Sequence, residues 1–374
     1  MPRILLVTND FPPRPGGIQS FLHGLVSRLP SNDVVVYTSR WRGWETWDAA
    51  QPFRIVREDT SVLLPTRSVR RRAQQLLREH GCDVAWFGAA APLGLMADGL
   101  RAAGAHRVIA TTHGHEAGWA MLPGARHLLR RIASTVDVLT YLGDYTRTRL
   151  AGAIGDANVS KLRQLAPGVD TELFRPGLGA AVREQLGLGD RRVVVCVSRL
   201  MPRKGQDMLI RALPAVQAEV PDAALLLVGG GPYRSRLESL VADTGVGDSV
   251  LFTGTVPWNE LPAYYGAGDV FAMPCRTRLG GADVEGLGIV YLEASACGLP
   301  VIAGNSGGAP DAVLEDETGY VVDGRSVDEV AERIRELLAD DERRAALGAT
   351  GRVWVQERWS WSRQQQVLQQ LLLV

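Results

Sequence analysis

The sequence contains little lysine and little cysteine, and it has no long apolar run. Lysine occurs only at Lys161 and Lys204 among 41 basic residues. The cysteines are scattered along the chain without any C-x-x-C spacing, at Cys82, Cys196, Cys275 and Cys297. No segment at the N-terminus or elsewhere has the pattern of a signal peptide or a transmembrane helix. These absences argue against a disulfide-rich secreted domain and a membrane-spanning chain, and they predict a cytoplasmic protein with reduced thiols.

Two common ligand-binding patterns are also missing. The glycine spacing G-x-G-x-x-G, which binds a dinucleotide after a first strand, occurs neither in residues 9–19 nor in residues 229–232. This absence argues against a nicotinamide-dependent dehydrogenase. His113, His115 and Glu116 lie close together in the sequence, but no third histidine nearby completes a set of metal ligands. The sequence therefore indicates no bound metal at these residues.

The length and the hydrophobic pattern predict two α/β domains. A chain of 374 residues, 46% of them hydrophobic, exceeds what one core usually organises. Short apolar runs that precede loops or helices predict parallel strands, as in doubly wound folds. We predict strands at residues 3–8, 34–37, 84–87, 108–112, 136–142, 193–198, 224–228, 250–253, 270–273 and 300–303. The domains are expected at residues 1–167 and 168–355, and residues 356–374 are expected to form a C-terminal helix.

The balanced net charge conceals an asymmetry between the two halves. Residues 1–167 carry 21 basic and 13 acidic side chains, a difference of +8, whereas residues 168–374 carry 20 and 28, a difference of −8. Five arginines from Arg67 to Arg78 fall on one predicted helix, and Arg126, Arg130 and Arg131 fall on another. Such clusters suit an anionic membrane surface, and a solvated helix face is the alternative. No nucleic-acid partner is expected.

Glu285 and Glu293 form the most informative pair of residues in the chain. A loop carboxylate followed by a helix with another carboxylate fits a nucleotide-sugar site, because Gly286 and Gly288 leave backbone N–H groups open where a diphosphate can bind. Glu285 would then lie at the sugar, and Glu293 at the ribose hydroxyls. Eight residues of helix would separate the carboxylates by roughly 12 Å, which is too far for the pair that flanks one bond in a glycosidase. Two acidic residues on an ordinary amphipathic helix are the other alternative.

A basic motif and a glycine pair supply further groups that suit a diphosphate. Arg199 and Lys204 follow the first predicted strand of the second domain, where ligands of α/β folds bind, and they can neutralise a departing diphosphate. Gly16 and Gly17 let the first loop approach a phosphate closely. A solvent-facing basic loop is the alternative for residues 197–205.

These motifs occur in the order found in one family. With its N-terminal loop at residues 8–13, its basic motif and its glutamate pair, the chain resembles the retaining family 4 glycosyltransferases of the GT-B fold over nearly its whole length. That fold has two Rossmann-like parallel-sheet domains that face each other across a cleft, and the resemblance implies that the C-terminal helix at residues 356–374 returns to the first domain. Residues 274–278 and 280–285 are most similar to the actinobacterial phosphatidylinositol monomannoside α-1,6-mannosyltransferases. The resemblance implies a GDP-mannose donor and an anionic inositol glycolipid acceptor at the inner face of the cell membrane.

The resemblance also implies roles for individual residues. It places the catalytic residues Glu285 and His113 at the donor sugar. The donor diphosphate is expected at Gly16, Gly17, Arg199, Lys204, Leu287, Gly288 and Ile289. The donor ribose and base are expected at Glu293, Val256 and Leu261, and the acceptor headgroup at Asp10 and Gln19. No two aspartates are separated by a single residue, so the D-x-D manganese motif of the other glycosyltransferase fold is absent, and transfer without a metal or cofactor is expected.

The reaction mechanism and the substrates have open alternatives at this stage. In the favoured mechanism the leaving diphosphate takes the proton of the acceptor hydroxyl, and a double displacement through Glu285 is the rival. A transferase of the same fold with another nucleotide sugar or a soluble acceptor is one alternative function. A sugar-nucleotide epimerase and a binding protein without catalysis are two others. The sequence does not indicate the oligomeric state.

Overall fold

The computed structural model describes residues 1–114, 116–119 and 123–373. The chain divides into two compact units, one formed by residues 1–168 together with the segment from Trp361 onward, and the other by residues 169–360. The expected second boundary, at residues 355/356, falls inside a helix that ends at Arg358. The N–H of Val169 donates to the carbonyl of Trp359 at 2.7 Å. This contact keeps residues 356–360 with the second unit.

A parallel sheet of seven strands, counted over the described residues, forms the centre of the first unit. Its strands are β1 (Ile4–Thr8), β2 (Val34–Ser39), β3 (Arg54–Glu58), β4 (Val84–Phe87), β5 (Arg107–Ala110), β6 (Val138–Tyr141) and β7 (Leu162–Gln164). Every residue of β1 and β2 is buried, as in strands covered on both faces. The spatial order β3-β2-β1-β4-β5-β6-β7 reverses between β1 and β4. Loops at the carboxyl ends of the strands form binding sites at such a switch point.

Helices connect these strands. They are α1 (Gly17–Val26), α2 (Trp44–Ala49), α3 (Arg67–Glu79), α4 (Ala97–Ala102), α5 (Glu116–Trp119), α6 (Pro123–Thr135), α7 (Asp144–Ile154) and α8 (Asp156–Val159). Helix α3 begins after Thr66, whose hydroxyl accepts the N–H of Val69 at 3.3 Å. It buries one apolar side, formed by Val69, Ala73, Leu76 and Leu77. The arginines of α3 therefore lie on its other side.

The second unit has the same kind of architecture, with a parallel sheet of six strands among the described residues. The strands are β8 (Val193–Val197), β9 (Ala224–Val228), β10 (Val250–Gly254), β11 (Val270–Met273), β12 (Val301–Gly304) and β13 (Gly319–Val322). The helices are α9 (Ala180–Gln185), α10 (Gln206–Gln217), α11 (Arg234–Thr244), α12 (Leu261–Gly266), α13 (Ile289–Ala296), α14 (Val327–Ala339) and α15 (Asp341–Arg358). The strand order β10-β9-β8-β11-β12-β13 places the switch point between β8 and β11.

The last helix, α16 (Trp361–Leu373), packs on the first unit. A Cβ at Gly24 would lie only 2.4 Å from the ring of Trp361, and a Cβ at Gly168 would also be too close to Trp361. The guanidinium of Arg28 stacks on this ring, 4.5 Å from its centroid. Gln365 donates from Nε2 to the carbonyl of Arg28 at 2.5 Å. The predicted return of a C-terminal helix to the first domain is confirmed, and so are the two Rossmann-like sheets.

The predicted strands are all present, with ends that differ by at most two residues from those observed. Three further strands were not predicted, and each lies at an edge of its sheet. They are β3, β7 and β13. Edge strands are paired on one side only and need not be continuously apolar; β3 reads Arg-Ile-Val-Arg-Glu, and β7 has only three residues.

Candidate active site

The predicted basic motif and Glu285 meet at the switch point of the second unit. Lys204 lies in the loop after β8, and Glu285 lies in the loop between β11 and α13. The ammonium of Lys204 donates to Glu285 Oε2 at 2.6 Å. The two side chains are only 11% and 9% exposed. The structure thus brings together two of the predicted site residues in a nearly enclosed ion pair.

Arg203 belongs to the same cluster and was missed from the sequence. Its Nη1 donates to Glu285 Oε2 at 2.7 Å and to the carbonyl of Val284 at 3.2 Å. Its Nε lies 3.2 Å from Asp283 Oδ1. Two cations therefore form charge-assisted hydrogen bonds to one oxygen of Glu285. The adjacent Arg203 and Lys204 in the basic motif were the signal that could have revealed this role, because two neighbouring basic side chains can reach the same carboxylate.

Two glycines outside the predicted site hold the backbone of Glu285. The N–H of Gly308 donates to the Glu285 carbonyl at 2.9 Å. A Cβ at Gly307 would lie 2.1 Å from that carbonyl oxygen, and one at Gly308 would lie 2.2 Å from the carbonyl oxygen of Gly286. Only glycine permits so close an approach. Residues 307 and 308 are thus positioning residues for Glu285.

The start of α13 has the open backbone that its glycines predict. Gly288 precedes the helix at a φ of 79°, and no side chain caps its first turn. Because the first N–H groups of a helix have no helical acceptor, those from Ile289 onward can receive a ligand. Leu287 is buried immediately before them. The assumption of continuous helix between Glu285 and Glu293 is wrong, since α13 begins only at Ile289, and the separation derived from it does not apply.

Glu293 is buried on α13 and is held by aromatic side chains. The hydroxyl of Tyr265 donates to Glu293 Oε2 at 2.8 Å. Burial raises the pKa of Glu293 to about 7, and hydrogen bonds from the side chains of Tyr265 and Trp258 oppose this increase. The carboxyl can therefore gain or lose a proton near neutral pH. Its contact with the donor ribose stays a prediction.

The expected base-binding residues lie between β10 and α12. Val256 and Leu261 are both half-buried, and Leu261 is the first residue of α12. Between them Trp258 is exposed, with its ring edge-on to Phe174 at a centroid distance of 5.6 Å. Phe174 also contacts the ring of Tyr265 at 5.8 Å. One aromatic cluster thus connects this segment to the residues around Glu293.

Arg199 lies two residues after β8, with an exposed side chain. Its carbonyl accepts a hydrogen bond from Gln206 Nε2 at 3.0 Å, which fixes the backbone of the basic motif to the start of α10. In the described parts of the chain, the guanidinium of Arg199 donates to no backbone carbonyl. Its expected binding to a diphosphate stays a prediction.

The predicted phosphate and acceptor residues of the first unit lie around the start of α1. Gln19 donates from Nε2 to Asp10 Oδ1 at 2.7 Å, so the two acceptor candidates contact each other. Gly16 and Gly17 are exposed, and a Cβ at Gly17 would meet nothing within 4 Å. The helix start is therefore open to a ligand, and its binding to a phosphate stays a prediction.

His113 follows β5 and is held at several points. Its Nε2 donates to the carbonyl of Gly88 at 2.5 Å, and its backbone N–H donates to Glu116 Oε2 at 2.9 Å. The ring is edge-on to Phe21 at 5.7 Å. Because a carbonyl only accepts, the neutral ring carries its proton on Nε2. His115 lies outside the described residues, and in the parts of the chain that are described no three acidic, histidine or cysteine side chains group to hold a metal.

The two basic clusters differ in what their arginines contact. On α6, Arg126 donates to the carbonyl of Gly152, and Arg130 donates from Nε to the carbonyl of Ala153 at 2.9 Å. These contacts attach α6 to the C-terminal turn of α7. On α3, four arginines are exposed, at Arg67, Arg70, Arg71 and Arg78. Over the described ranges, no helix is both long and apolar enough to cross a bilayer.

Comparison with known proteins identifies similar families and relatives. Residues 180–354 match the family described as glycosyl transferases group 1, and residues 15–173 match glycosyltransferase family 4. The GDP-mannose-dependent alpha-(1-6)-phosphatidylinositol monomannoside mannosyltransferase of Mycolicibacterium smegmatis is 54% identical over 364 residues, which cover 96% of this chain and 95% of the relative. A GDP-mannose-dependent monoacylated alpha-(1-6)-phosphatidylinositol monomannoside mannosyltransferase of Corynebacterium glutamicum is 49% identical over 365 residues, 96% and 94% of the two chains. The crystal structure of Anabaena HepE in complex with UDP has the same fold, with a TM-score of 0.82 at 20% identity over 99% of each chain.

Proposed function

This chain belongs to the family 4 glycosyltransferases, and from that premise we propose that it transfers mannose from GDP-mannose to phosphatidylinositol monomannoside in an α-(1-6) linkage. The observation that carries the proposal is the 54% identity to a mycobacterial enzyme named for this reaction, over 96% of this chain. Donor and acceptor sites of this fold draw residues from many loops. Identity that extends through both halves therefore supports the same donor and acceptor.

The donor diphosphate is proposed to bind the second unit at Lys204, Arg199 and the open start of α13. Lys204 is already held within 2.6 Å of Glu285, so the ammonium is fixed before a donor arrives. The exposed Arg199 adds a planar set of donors that suits phosphate oxygens. These groups would stabilise the negative charge that accumulates on departing GDP. Because fixed cations supply this charge, we expect transfer to need no metal ion.

The chemical step is proposed to retain the anomeric configuration. The bond from the anomeric carbon to the diphosphate oxygen breaks, and the acceptor hydroxyl forms the new bond on the same face of the sugar. The hydroxyl proton passes to the departing phosphate oxygen, so that GDP leaves and no enzyme nucleophile is needed. Glu285 would bind sugar hydroxyls and orient the ring, and His113 would contact the sugar. A mannosyl group trapped covalently on Glu285 would contradict this version.

The protein is proposed to bind the inner surface of the membrane without spanning it. Exposed arginines of α3 are attracted to anionic lipid headgroups. Just before this helix, Val62 and Leu64 expose 48% and 53% of their surface. Apolar side chains beside a basic helix can enter the interface while the charges remain at the headgroups. This combination suits an enzyme that acts on a lipid acceptor.

The proposal is tested by incubating the purified protein with GDP-mannose labelled in the sugar, EDTA and a lipid extract that contains phosphatidylinositol monomannoside. We expect label in the lipid phase as a dimannoside. Treatment of this lipid with α-mannosidase should release the labelled mannose. Unlabelled lipid in the presence of bound GDP-mannose would contradict the acceptor assignment. Failure to bind GDP-mannose, together with binding of a UDP or ADP sugar, would contradict the donor assignment. Activity lost in EDTA and restored by a divalent cation would contradict metal independence.

A further inference from the structure

The segment between β11 and α13 contains a tight loop that the proposed function does not yet use. The N–H of Arg278 donates to the carbonyl of Asp283 at 2.9 Å, and the N–H of Asp283 donates back to the Arg278 carbonyl at 3.2 Å. Residues 278–283, closed by this pair of bonds, are called the Leu279 loop. Its base is fixed, while Leu279 at its tip is 75% exposed. The loop therefore holds an aliphatic side chain in solvent.

Leu279 combines two unfavourable features. Its φ of 50° lies in the left-handed region, which glycine and asparagine adopt more readily than leucine. Gly280 and Gly281 continue this conformation at 62° and 99°. Among the described residues, no other large apolar side chain is as exposed as Leu279. Neither packing nor backbone geometry accounts for a leucine at this position, and residues in such unfavourable conformations often contact ligands.

Arg203 connects the Leu279 loop to the candidate active site. Its Nε lies 3.2 Å from Asp283 Oδ1 at the base of the loop, and its Nη1 donates to Glu285 Oε2 at 2.7 Å. One guanidinium thus holds both the loop and the carboxylate. A ligand that contacts the loop would consequently lie beside Glu285.

Arg278 places a cation next to the exposed leucine. Its side chain is 41% exposed, and its Nη1 is 3.9 Å from Asp283 Oδ2. An ion pair with this separation and exposure is weak, so the guanidinium remains available to another anion. Arg276 differs, because Asp207 holds it at 2.8 Å and both side chains are mostly buried. The loop therefore offers one aliphatic group and one available positive charge.

This pair of groups matches the acceptor better than the donor. The sugar, diphosphate and ribose of GDP-mannose are hydrophilic, so an exposed leucine has no counterpart there. An inositol glycolipid has both a phosphate and an apolar glycerol and acyl region. We propose that the Leu279 loop binds the lipid acceptor, with Arg278 at its phosphate and Leu279 against its apolar part. This inference rests on the proposed function.

The test compares Leu279→Asn and Arg278→Gln with the wild-type protein. Asparagine tolerates the left-handed conformation and removes the aliphatic side chain. Initial rates are measured against acceptor concentration in mixed micelles at saturating GDP-mannose, and donor affinity is measured by calorimetry. We expect each variant to raise the acceptor KM about five- to tenfold. A change of this size is expected when part of the burial of one leucine, or one charged hydrogen bond, is lost. The kcat and the donor Kd should stay within about twofold, and the Tm of Leu279→Asn should be no lower than that of the wild type.

Asp316→Asn is the matched control, since Asp316 is also exposed and has a φ of 61°. It should leave the acceptor KM unchanged. The inference is overturned if both loop variants keep the wild-type KM, or if they lower the Tm and weaken donor binding, which would indicate a purely structural loop. If the wild type uses an inositol lipid other than the monomannoside, the proposed function fails. A raised KM of the loop variants for that lipid would still uphold the loop, and an unchanged KM would refute it.

Discussion

One oxygen of the Glu285 carboxylate accepts hydrogen bonds from both Arg203 and Lys204. The two cations need not act in the same way. Among the described residues, the ammonium of Lys204 donates to Glu285 alone, whereas the guanidinium of Arg203 also donates to the carbonyl of Val284 and lies beside Asp283. The ammonium of Lys204 therefore has N–H groups left for a diphosphate, while Arg203 keeps the carboxylate in place. This difference leads to separate predictions for the two residues.

Lys204→Ala should weaken the binding of GDP-mannose and slow transfer. Loss of one charge-assisted contact to the diphosphate is expected to raise the donor Kd by about tenfold or more. Titration calorimetry with GDP-mannose measures this change. Arg234→Ala is a suitable control, because Arg234 forms an exposed ion pair with Glu238 within α11. Equal donor affinity in Lys204→Ala and the wild type would remove Lys204 from the donor site.

Arg203→Ala should lower kcat by about tenfold or more, while the donor Kd changes by less than about threefold, because it leaves Glu285 misplaced without removing a donor contact. Arg203→Lys should restore part of the rate, since an ammonium can replace one of the lost hydrogen bonds. Steady-state kinetics and calorimetry separate the two effects. A loss of donor affinity as large as that in Lys204→Ala would show that Arg203 itself contacts the donor.

Glu293 should make stability depend on pH near neutrality. Its folded-state pKa of about 7 lies above the ordinary value of 4.5 because of burial. Between these values the folded protein binds more protons than the unfolded chain, so stability falls as pH rises through this window. Relative to Glu293→Gln, the wild type should lose at most about 3 kcal/mol of unfolding free energy between pH 5 and pH 8.

Unfolding in urea at several pH values, without donor, measures this dependence. Glu238→Gln is the control, because Glu238 is an exposed carboxylate and should not change the pH profile over this range. Parallel profiles for the wild type and Glu293→Gln would mean that the buried carboxyl titrates outside the window.

At the scale of single elements, α3 and α6 illustrate why charge counts alone are insufficient. Both helices carry arginine clusters in the sequence, but α6 directs Arg126 and Arg130 to carbonyls at the end of α7. Its charges therefore contribute to packing within the unit. The arginines of α6 are exposed, as are four arginines of α3, but among the described residues no arginine of α3 donates to a backbone carbonyl in this way. The membrane prediction is consequently assigned to α3.

Replacing Arg70, Arg71 and Arg72 together by glutamine should weaken binding to anionic vesicles by about 1 kcal/mol per charge at most, and the difference should shrink at high salt. Cosedimentation with vesicles of phosphatidylcholine and phosphatidylinositol measures this. A double replacement of the exposed Arg211 and Arg236 in the second unit serves as a control for charge. If the α3 variant binds vesicles as tightly as the control, the helix has only a solvated face.

Two of the three strands that could not be predicted from the sequence, β3 and β7, share a physical cause. Central strands such as β1 and β8 are buried along their whole length, so a continuous apolar run predicts them. The edge strands β3 and β7 include polar residues that remain partly exposed, and their sequences resemble loops. A local run of apolar residues indicates a strand that is buried on both faces of its sheet. It does not indicate a strand that pairs with one neighbour at the edge of the sheet.

The same limit applies to the candidate site. The open backbone at Gly288 could be predicted, because it lies within one continuous segment, whereas the separation of Glu285 and Glu293 could not, since α13 begins only at Ile289. The roles of Arg203 and Gly308 could not, since each depends on a loop from another strand that reaches Glu285 only in the folded sheet. Contacts between distant segments are set by the fold and not by a local motif.

At the scale of the whole molecule, the chain consists of two Rossmann-like units, with its last helix packed on the first. Length and apolar content predict two domains, and the resemblance to a family predicts the return of the C-terminal helix. The contact of Trp361 with Gly24 and Arg28 explains this return in physical terms, since the ring fills space that a side chain at Gly24 would occupy. The expected domain limit differed because helical periodicity continues through α15 to Arg358.

The most direct test of the account measures mannose transfer to phosphatidylinositol monomannoside by the wild type and by Glu285→Gln at equal occupancy with GDP-mannose. The product is identified by mass spectrometry and linkage analysis. The account predicts an α-(1-6)-linked dimannoside from the wild type and loss of transfer in the variant, with its donor Kd within about tenfold of the wild type. Transfer by the variant at the wild-type rate, or a wild type that binds GDP-mannose and leaves the monomannoside unchanged, would contradict it.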